Sequence, residues 1–269
     1  MFRFYRLCNI LSIDVAIGAM IGAAFFARLL GVTILPSGFA SLGLTVWIIY
    51  TADHLIDARK VPRVASTERH RFHQRHAQWL FAAMVIALIV DVSQIYFVRK
   101  IVFVDGLWLS VLVVIYFIVQ QRVAILKELL GALLYTSGVL LIPISVSNHV
   151  PPSAAWLIVQ FAVTAWINLL LFSWIDQNSD ERDTHRSFAT TFGDRATRGL
   201  LTTLFVINLS LSCLQLWLPG KNMVGTLIIT GMDALLLLIF LRKDFFEAHD
   251  RFRILGDAVF FIPVVGLWL

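Results

Sequence analysis

Two pairs of aspartates in the sequence have the spacing of a metal site. Asp53 and Asp57 form the first pair, and Asp176 and Asp180 form the second, 123 residues later. Residues i and i+4 lie on one face of a helix. At ~6 Å and an effective dielectric near 20, two such carboxylates repel each other by roughly 2–3 kcal/mol. Each pair therefore favours a bound cation or a raised pKa.

An arginine follows each pair at the same distance, so that Asp-x3-Asp-x5-Arg occurs at 53–63 and again at 176–186. The repetition predicts a duplicated unit that faces one cavity. Hard oxygen ligands suit Mg²⁺, which takes phosphate oxygens as further ligands. We therefore expect a Mg²⁺-bridged diphosphate, with Arg63, Arg186 and Lys60 as its basic contacts. The alternative is that these acids are ordinary charges at helix ends, solvated or paired with neighbouring bases.

The elements that carry these residues are membrane helices. The chain has 269 residues, of which 59% are hydrophobic and only 14% charged, against about 25% charged in soluble domains. This composition excludes a soluble enzyme, a disordered chain and a disulfide scaffold. About 20 apolar residues cross a bilayer, which predicts an all-α, multi-pass bundle of about nine helices in one domain, 1–269. The predicted spans are 9–34, 37–57, 77–98, 101–120, 127–147, 154–176, 199–218, 222–241 and 254–269.

The distribution of Lys and Arg predicts the orientation. With the N-terminus inside, the inner segments hold eighteen of the 22 basic residues and the outer segments hold three. Basic loops stay on the cytoplasmic side. The N-terminus and both aspartate pairs are therefore expected on the cytoplasmic face of an integral membrane protein.

Further polar residues could line a cavity or act near it. Asp233 lies close to the middle of the eighth predicted span, where an ionisable residue suggests function or interior pairing. Asn168 precedes Asp176 by eight residues on nearly the same helical face, although a helix–helix hydrogen bond is an equal alternative. Three histidines of the basic inner loop are expected to donate to phosphate rather than to bind metal: His70, His73 and His76.

At the first aspartate pair the chain resembles the UbiA superfamily of intramembrane prenyltransferases. The first motif of that family reads N-D-x-x-D-x-x-x-D and is followed by a proline. Asp53 and Asp57 match its last two acids and Pro62 matches its proline, whereas Ile49 and Tyr50 replace its leading Asn and Asp.

The second window matches the family more closely. Asp176 and Asp180 match its D-x-x-x-D, the segment 186–188 takes the place of its basic-Thr-Leu sequence, and Gly193 matches its later glycine. The family often has Tyr-x-x-x-Lys at the inner end of the fourth span. Here Tyr116 is followed by Gln120, and Lys127 is expected to supply the missing cation.

The resemblance implies a nine-helix bundle that binds an isoprenyl diphosphate through Mg²⁺ and alkylates an aromatic or other electron-rich acceptor within membrane lipid. All four aspartates would hold the metal, and Tyr116, Asn168 and Asp233 would line the substrate cavity. No nucleic-acid partner is expected. Two alternatives remain open. One is a UbiA-type terpene cyclase that needs no acceptor, and the other is a non-catalytic lipid-binding or transport protein.

Overall fold

The computed structural model describes residues 2–61, 63–120, 126–217 and 222–268, and these residues form helices and no strands. Pro62 and residue 269, which ends the ninth predicted span, lie outside the described residues. The described residues contain thirteen α-helices, in chain order α1 Phe2–Ile10, α2 Ile13–Leu29, α3 Pro36–Lys60, α4 Glu68–Arg75, α5 Ala77–Gln94, α6 Lys100–Val119, α7 Lys127–Ser145, α8 Pro152–Ile175, α9 Gln177–Asp183, α10 Phe188–Trp217, α11 Met223–Leu241, α12 Lys243–Glu247 and α13 Arg251–Ala258. Short 3₁₀ segments cover Ile95–Phe97, Ala248–Asp250 and Val259–Leu267.

Seven of the described helices are long and apolar enough to cross a membrane. They are α3, α5, α6, α7, α8, α10 and α11. The pair α1 and α2 adds an eighth candidate, but it bends by 81° next to Ser12, whose φ is 55°. The multi-pass helical fold is thus confirmed, whereas the count of nine is not.

The last predicted span, 254–269, has a different form in the structure. It consists of the end of α13 and the 3₁₀ segment Val259–Leu267, which contains Pro263. Proline has no backbone N–H and disrupts an α-helix interior. The C-terminal segment therefore packs into the bundle without forming a full-length α-helical span.

An aromatic core lies where α2, α7, α8 and the C-terminal 3₁₀ segment meet. The ring of Phe161 lies 5.3 Å from Phe26 and 5.7 Å from Phe260, and Tyr135 lies 5.1 Å from Phe260. Phe26 and Phe161 are fully buried. Edge-to-face pairs of this kind stabilise a packed interior beyond their burial alone.

Helices α5 and α6 lie at the periphery and direct large apolar side chains outward. Trp79 is 80% exposed and Trp108 is 70% exposed. An apolar surface of this extent is unfavourable in water and suits lipid. These two helices therefore belong to the lipid-facing side of the bundle.

One end of the bundle gathers the polar residues of interest, and we refer to it as the site end. Here α3, α6 and α8 end, and α7, α10 and α13 begin. Glu128 near the start of α7 accepts a hydrogen bond from the Phe188 backbone N–H, at the start of α10, at 2.9 Å. The site end is thus built from helix termini and the short helices α4 and α9.

Candidate active site

The first aspartate pair lies in the last two turns of α3. Asp57 is 6% exposed, and Lys60 and Lys127 donate to its two oxygens at 2.7 and 3.3 Å. Asp53 accepts a hydrogen bond from the Gln120 side-chain amide at 3.2 Å. The four-residue spacing thus directs both carboxylates toward the site-end residues of α6 and α7.

The second pair lies where α8 gives way to α9. Asp176 joins the two helices, and the Arg253 guanidinium donates to its carboxylate. The Asp180 backbone N–H bonds to the Asp176 carbonyl oxygen at 2.9 Å. Burial, together with the nearby Asp176 carboxylate, raises the pKa of Asp180 to about 7. Burial raises the pKa of Asp176 too, although Arg253 opposes this effect.

Shared cations connect the two pairs. Lys127 lies close enough to attract the Asp180 carboxylate in addition to that of Asp57. Arg253 likewise attracts Asp180 in addition to its direct partner Asp176. Lys127 and Arg253 thus link the two pairs, but among the described residues no three of the four carboxylates lie within 4.8 Å of one another.

The site fits a divalent cation in its donor chemistry. Within the described ranges, no Lys, Arg or His nitrogen lies within 4.0 Å of the Asp53 or the Asp180 carboxylate, whereas Asp57 and Asp176 each have such a partner. Each pair thus contributes one carboxylate without a close cation. Hard carboxylate oxygens are the ligands that Mg²⁺ prefers.

The predicted basic residues lie in different environments. The Arg63 guanidinium donates to the Arg182 carbonyl oxygen, which joins the segment after α3 to α9. Arg186 is exposed. Lys60 is paired with Asp57 in the structure. Lys127 is half-buried, is paired with the same carboxylate, and also lies near Asp53 and Asp180.

The three candidate cavity residues have different surroundings. Tyr116 is half-buried, close to the Asp53 carboxylate. Asn168 is 3% exposed, and its Oδ1 has no hydrogen-bond partner within the described part of the chain. Asp233 lies in a separate cluster between α8, α10 and α11, where Thr164 and Asn208 each donate to it at 2.8 Å.

The three histidines of the inner loop have different contacts. His73 bonds to the Arg69 carbonyl oxygen at 2.9 Å, and the His76 ring lies 4.5 Å from that of Phe72. His70 instead faces His185, with ring centroids 5.1 Å apart. Burial and, to a smaller extent, the neighbouring His185 lower the pKa of His70 to about 3. Burial also lowers the pKa of His185.

Arg253 is a site residue that the sequence did not single out. It contacts Asp176, and its guanidinium lies 5.1 Å from the Phe252 ring centroid. The neighbouring Gly256 permits this arrangement, since a Cβ at that position would lie 2.5 Å from the Phe172 ring. The available signal was a basic residue directly before the last apolar segment.

Comparison with known proteins agrees with this geometry. A family model described as the UbiA prenyltransferase family matches residues 51–261. The chain belongs to the UbiA prenyltransferase family. Because the matched region begins two residues before Asp53, it includes both aspartate pairs of this UbiA-family chain. Family membership supports an intramembrane prenyltransferase activity and an integral, multi-pass membrane protein.

The fold of the chain is also similar to that of a solved structure. A solved structure described as digeranylgeranylglyceryl phosphate synthase in membranes is similar to this UbiA-family chain, with a TM-score of 0.58 and 15% identity over 99% of both chains. At this low sequence identity, the similarity shows a shared fold alone. No match was found among curated proteins.

Proposed function

We propose that this UbiA-family chain is a Mg²⁺-dependent prenyltransferase that moves an isoprenyl group from an isoprenyl diphosphate to an aromatic or other electron-rich acceptor. The observation that carries the proposal is that Asp53 and Asp180, one from each aspartate pair, have no cation within 4.0 Å among the described residues. Lys127 lies close to both. Both carboxylates are half-buried, and partial removal from water favours compensation by a nearby positive charge.

In this proposal the two aspartate pairs hold the metal, and basic side chains bind the diphosphate. Bound Mg²⁺ supplies positive charge that stabilises the departing diphosphate. Lys127 would contact the diphosphate directly, and Lys60, Arg63 and Arg186 would provide further positive charge at the site end. The allylic carbon–oxygen bond breaks, a bond forms to the acceptor, and the acceptor loses a proton.

In this proposal the isoprenyl tail lies among apolar side chains next to the carboxylates. Phe172 and Phe252 pack edge to face at 5.4 Å directly beside Arg253. Aromatic faces stabilise a nearby cation, and a dry interior protects it from water. The polar Asn168 Oδ1, which lacks a partner among the described residues, is available to orient an acceptor.

Product analysis tests the proposal. The purified chain in lipid nanodiscs is incubated with isoprenyl diphosphates of several lengths and Mg²⁺, with and without a panel of phenolic and quinol acceptors. We expect alkylated acceptor only when both substrates and Mg²⁺ are present. Equal turnover after Mg²⁺ is removed by chelation would contradict the metal dependence.

The alternatives give different products. A terpene cyclase forms a hydrocarbon or terpene alcohol when no acceptor is present. A non-catalytic lipid-binding protein consumes no isoprenyl diphosphate. A non-hydrolysable diphosphate analogue with Mg²⁺ is expected to raise the melting temperature, because binding to the native state stabilises it. The lack of such a rise would favour the non-catalytic alternative.

A further inference from the structure

A cluster of His70, Asp183 and His185 lies beside the aspartate pairs and shares no residue with them. One potential ligand atom from each side chain lies within 4.8 Å of the other two. His70 comes from α4, Asp183 ends α9, and His185 follows α9. Two segments separated by more than 100 residues in sequence thus converge at this point.

The two imidazoles have buried nitrogens without partners. His70 Nδ1 and His185 Nε2 are both inaccessible to solvent, and neither has a hydrogen-bond partner in the described part of the chain. An unpaired buried polar atom is unfavourable because it has lost its hydrogen bonds to water without a replacement. Two of them beside one carboxylate indicate that a ligand normally satisfies them.

The Asp183 carboxylate is already held in position. The Ser66 hydroxyl donates to its Oδ1 at 2.7 Å, and the Ser66 backbone N–H donates to its Oδ2 at 2.8 Å. Each carboxylate oxygen keeps a further lone pair, so Asp183 can bind a metal without losing these bonds. Hydrogen bonds that orient a ligand in this way are typical of metal centres.

From these contacts we propose that His70, Asp183 and His185 bind a Zn²⁺ ion that fastens the segment carrying the second aspartate pair to α4. Two imidazole nitrogens and one carboxylate form a common Zn²⁺ ligand set, whereas Mg²⁺ prefers oxygen ligands alone. Zn–N bonds are about 2.0–2.1 Å long, so the three donors, which lie within 4.8 Å of one another, must move closer together when they bind one ion. A carboxylate within the cluster disfavours a bound phosphate.

The backbone supports the role of a fastening ion. Thr184 has a φ of 58°, so the chain reverses after α9 and brings His185 back toward α4. The His185 backbone N–H bonds to the Asp180 carbonyl oxygen at 2.9 Å. A metal ion on His185 would therefore restrain the turn that carries Asp180, without contacting the diphosphate site itself.

Metal content tests the proposal in the intact chain, purified with a tag that lacks histidine and stripped with a chelator. After Zn²⁺ is added and the excess removed, we expect about one ion per chain, which is the stoichiometry of a three-ligand site. The same content is expected when Asp53 and Asp180 are both replaced by Asn, because this site is separate from the aspartate pairs.

The variants His70→Asn and His185→Asn should each lose the ion and the rise in melting temperature that Zn²⁺ gives the wild type. His149→Asn is the matched control, because His149 is exposed and lies between α7 and α8, away from the site end. Undiminished Zn²⁺ in both cluster variants would overturn the proposal.

X-ray absorption at the zinc edge of the wild type gives a second measurement that does not depend on any variant. We expect scattering from two imidazole rings and from oxygen ligands. A zinc shell without imidazole scattering, or no retained zinc, would overturn the proposal. Neither result would affect the proposed Mg²⁺-dependent activity, which is measured separately.

Discussion

At the scale of single residues, Asp180 is the carboxylate whose environment favours a cation most clearly. Burial and the adjacent Asp176 raise its pKa to about 7, so near neutral pH a large fraction of it carries a proton when no metal is bound. A bound cation reverses this balance because it favours the ionised form. Metal binding and proton release at Asp180 are therefore expected to be coupled.

The first prediction concerns pH. Because Mg²⁺ competes with the proton on Asp180, its apparent affinity should fall about tenfold from pH 8 to pH 6. Isothermal titration with Mg²⁺ across this range measures the effect. In the Asp180→Asn variant the dependence near pH 7 should disappear along with part of the affinity. A pH dependence in that variant equal to that of the wild type would contradict the assignment.

The second prediction concerns Lys127. Replacing it by Met keeps most of the unbranched apolar side chain and removes the charge that lies close to both aspartate pairs. Hydrogen bonds to charged groups contribute about 1.5–3 kcal/mol, so KM for the isoprenyl diphosphate should rise roughly ten- to hundredfold, with a smaller effect on kcat.

Lys243→Met is the matched control for Lys127→Met. The Lys243 ammonium lies 4.3 Å from the Trp174 ring centroid, and among the described residues it has no carboxylate within 4.0 Å. Its replacement should leave KM unchanged. Equal KM values for the two variants would show that Lys127 does not contact the diphosphate.

The sequence predicts which residues form the site better than it predicts which of them contact one another. Helical spacing places Asp53 and Asp57 on one face, but it does not say which helix lies opposite. The contacts of Arg253 with Asp176 and of Gln120 with Asp53 depend on packing between segments far apart in sequence. For the same reason, the sequence pattern associates His70 with His73 and His76 and gives no indication that it lies next to His185.

At the scale of elements, the beginning of α10 depends on one glycine. Gly193 has φ 79° and ψ 173°, and it interrupts the helix Phe188–Trp217. This backbone region is open essentially to glycine alone. The family resemblance predicted a glycine here, and the structure gives its physical reason: the short turn 188–192 must change direction before the long helix begins.

The third prediction follows from this break. Gly193→Ala should destabilise the protein by about 1–3 kcal/mol, the usual cost of such a backbone conformation. An added Cβ would have no heavy atom within 4 Å, so the cost is conformational and not steric. Thermal unfolding in detergent provides the measurement, with a lower melting temperature as the expected result.

Gly199→Ala is the control within the same helix. Gly199 also has open space around a Cβ, but its backbone is helical, so alanine should stabilise the helix by about 0.5–1 kcal/mol. Opposite shifts of the two variants are expected. A melting temperature of Gly193→Ala at or above that of the wild type would contradict the argument.

Hydropathy located most of the spans but not their interruptions. The predicted span 127–147 corresponds to Lys127–Ser145, and 154–176 corresponds to Pro152–Ile175. The first and last predicted spans differ because the left-handed conformation of Ser12 and the 3₁₀ geometry around Pro263 interrupt the α-helix. Hydropathy measures transfer into lipid and is insensitive to such local backbone conformations.

At the scale of the whole molecule, the charge asymmetry predicts that the site end faces the cytoplasm. The fourth prediction tests this orientation in a background in which Cys8 and Cys213 are replaced by Ser. A membrane-impermeant maleimide should label Glu181→Cys only in inside-out vesicles and Asn148→Cys only in right-side-out cells. Both positions are exposed. The reverse pattern would contradict the predicted orientation.

The central claim concerns the molecule as a whole: two distant aspartate pairs form one Mg²⁺-dependent site for an isoprenyl diphosphate. The most direct measurement is the rate of diphosphate release, with and without Mg²⁺, for the wild type, Asp53→Asn, Asp180→Asn and the control Asp91→Asn. The Asp91 carboxylate accepts hydrogen bonds from the Ser41 and Thr45 hydroxyls of α3, and Asp91 belongs to neither aspartate pair. We predict Mg²⁺-dependent release by the wild type and Asp91→Asn, and a loss of about a hundredfold or more in each of the other variants, as for the removal of a charge-stabilising group. Release by Asp53→Asn and Asp180→Asn at the wild-type rate would contradict the claim.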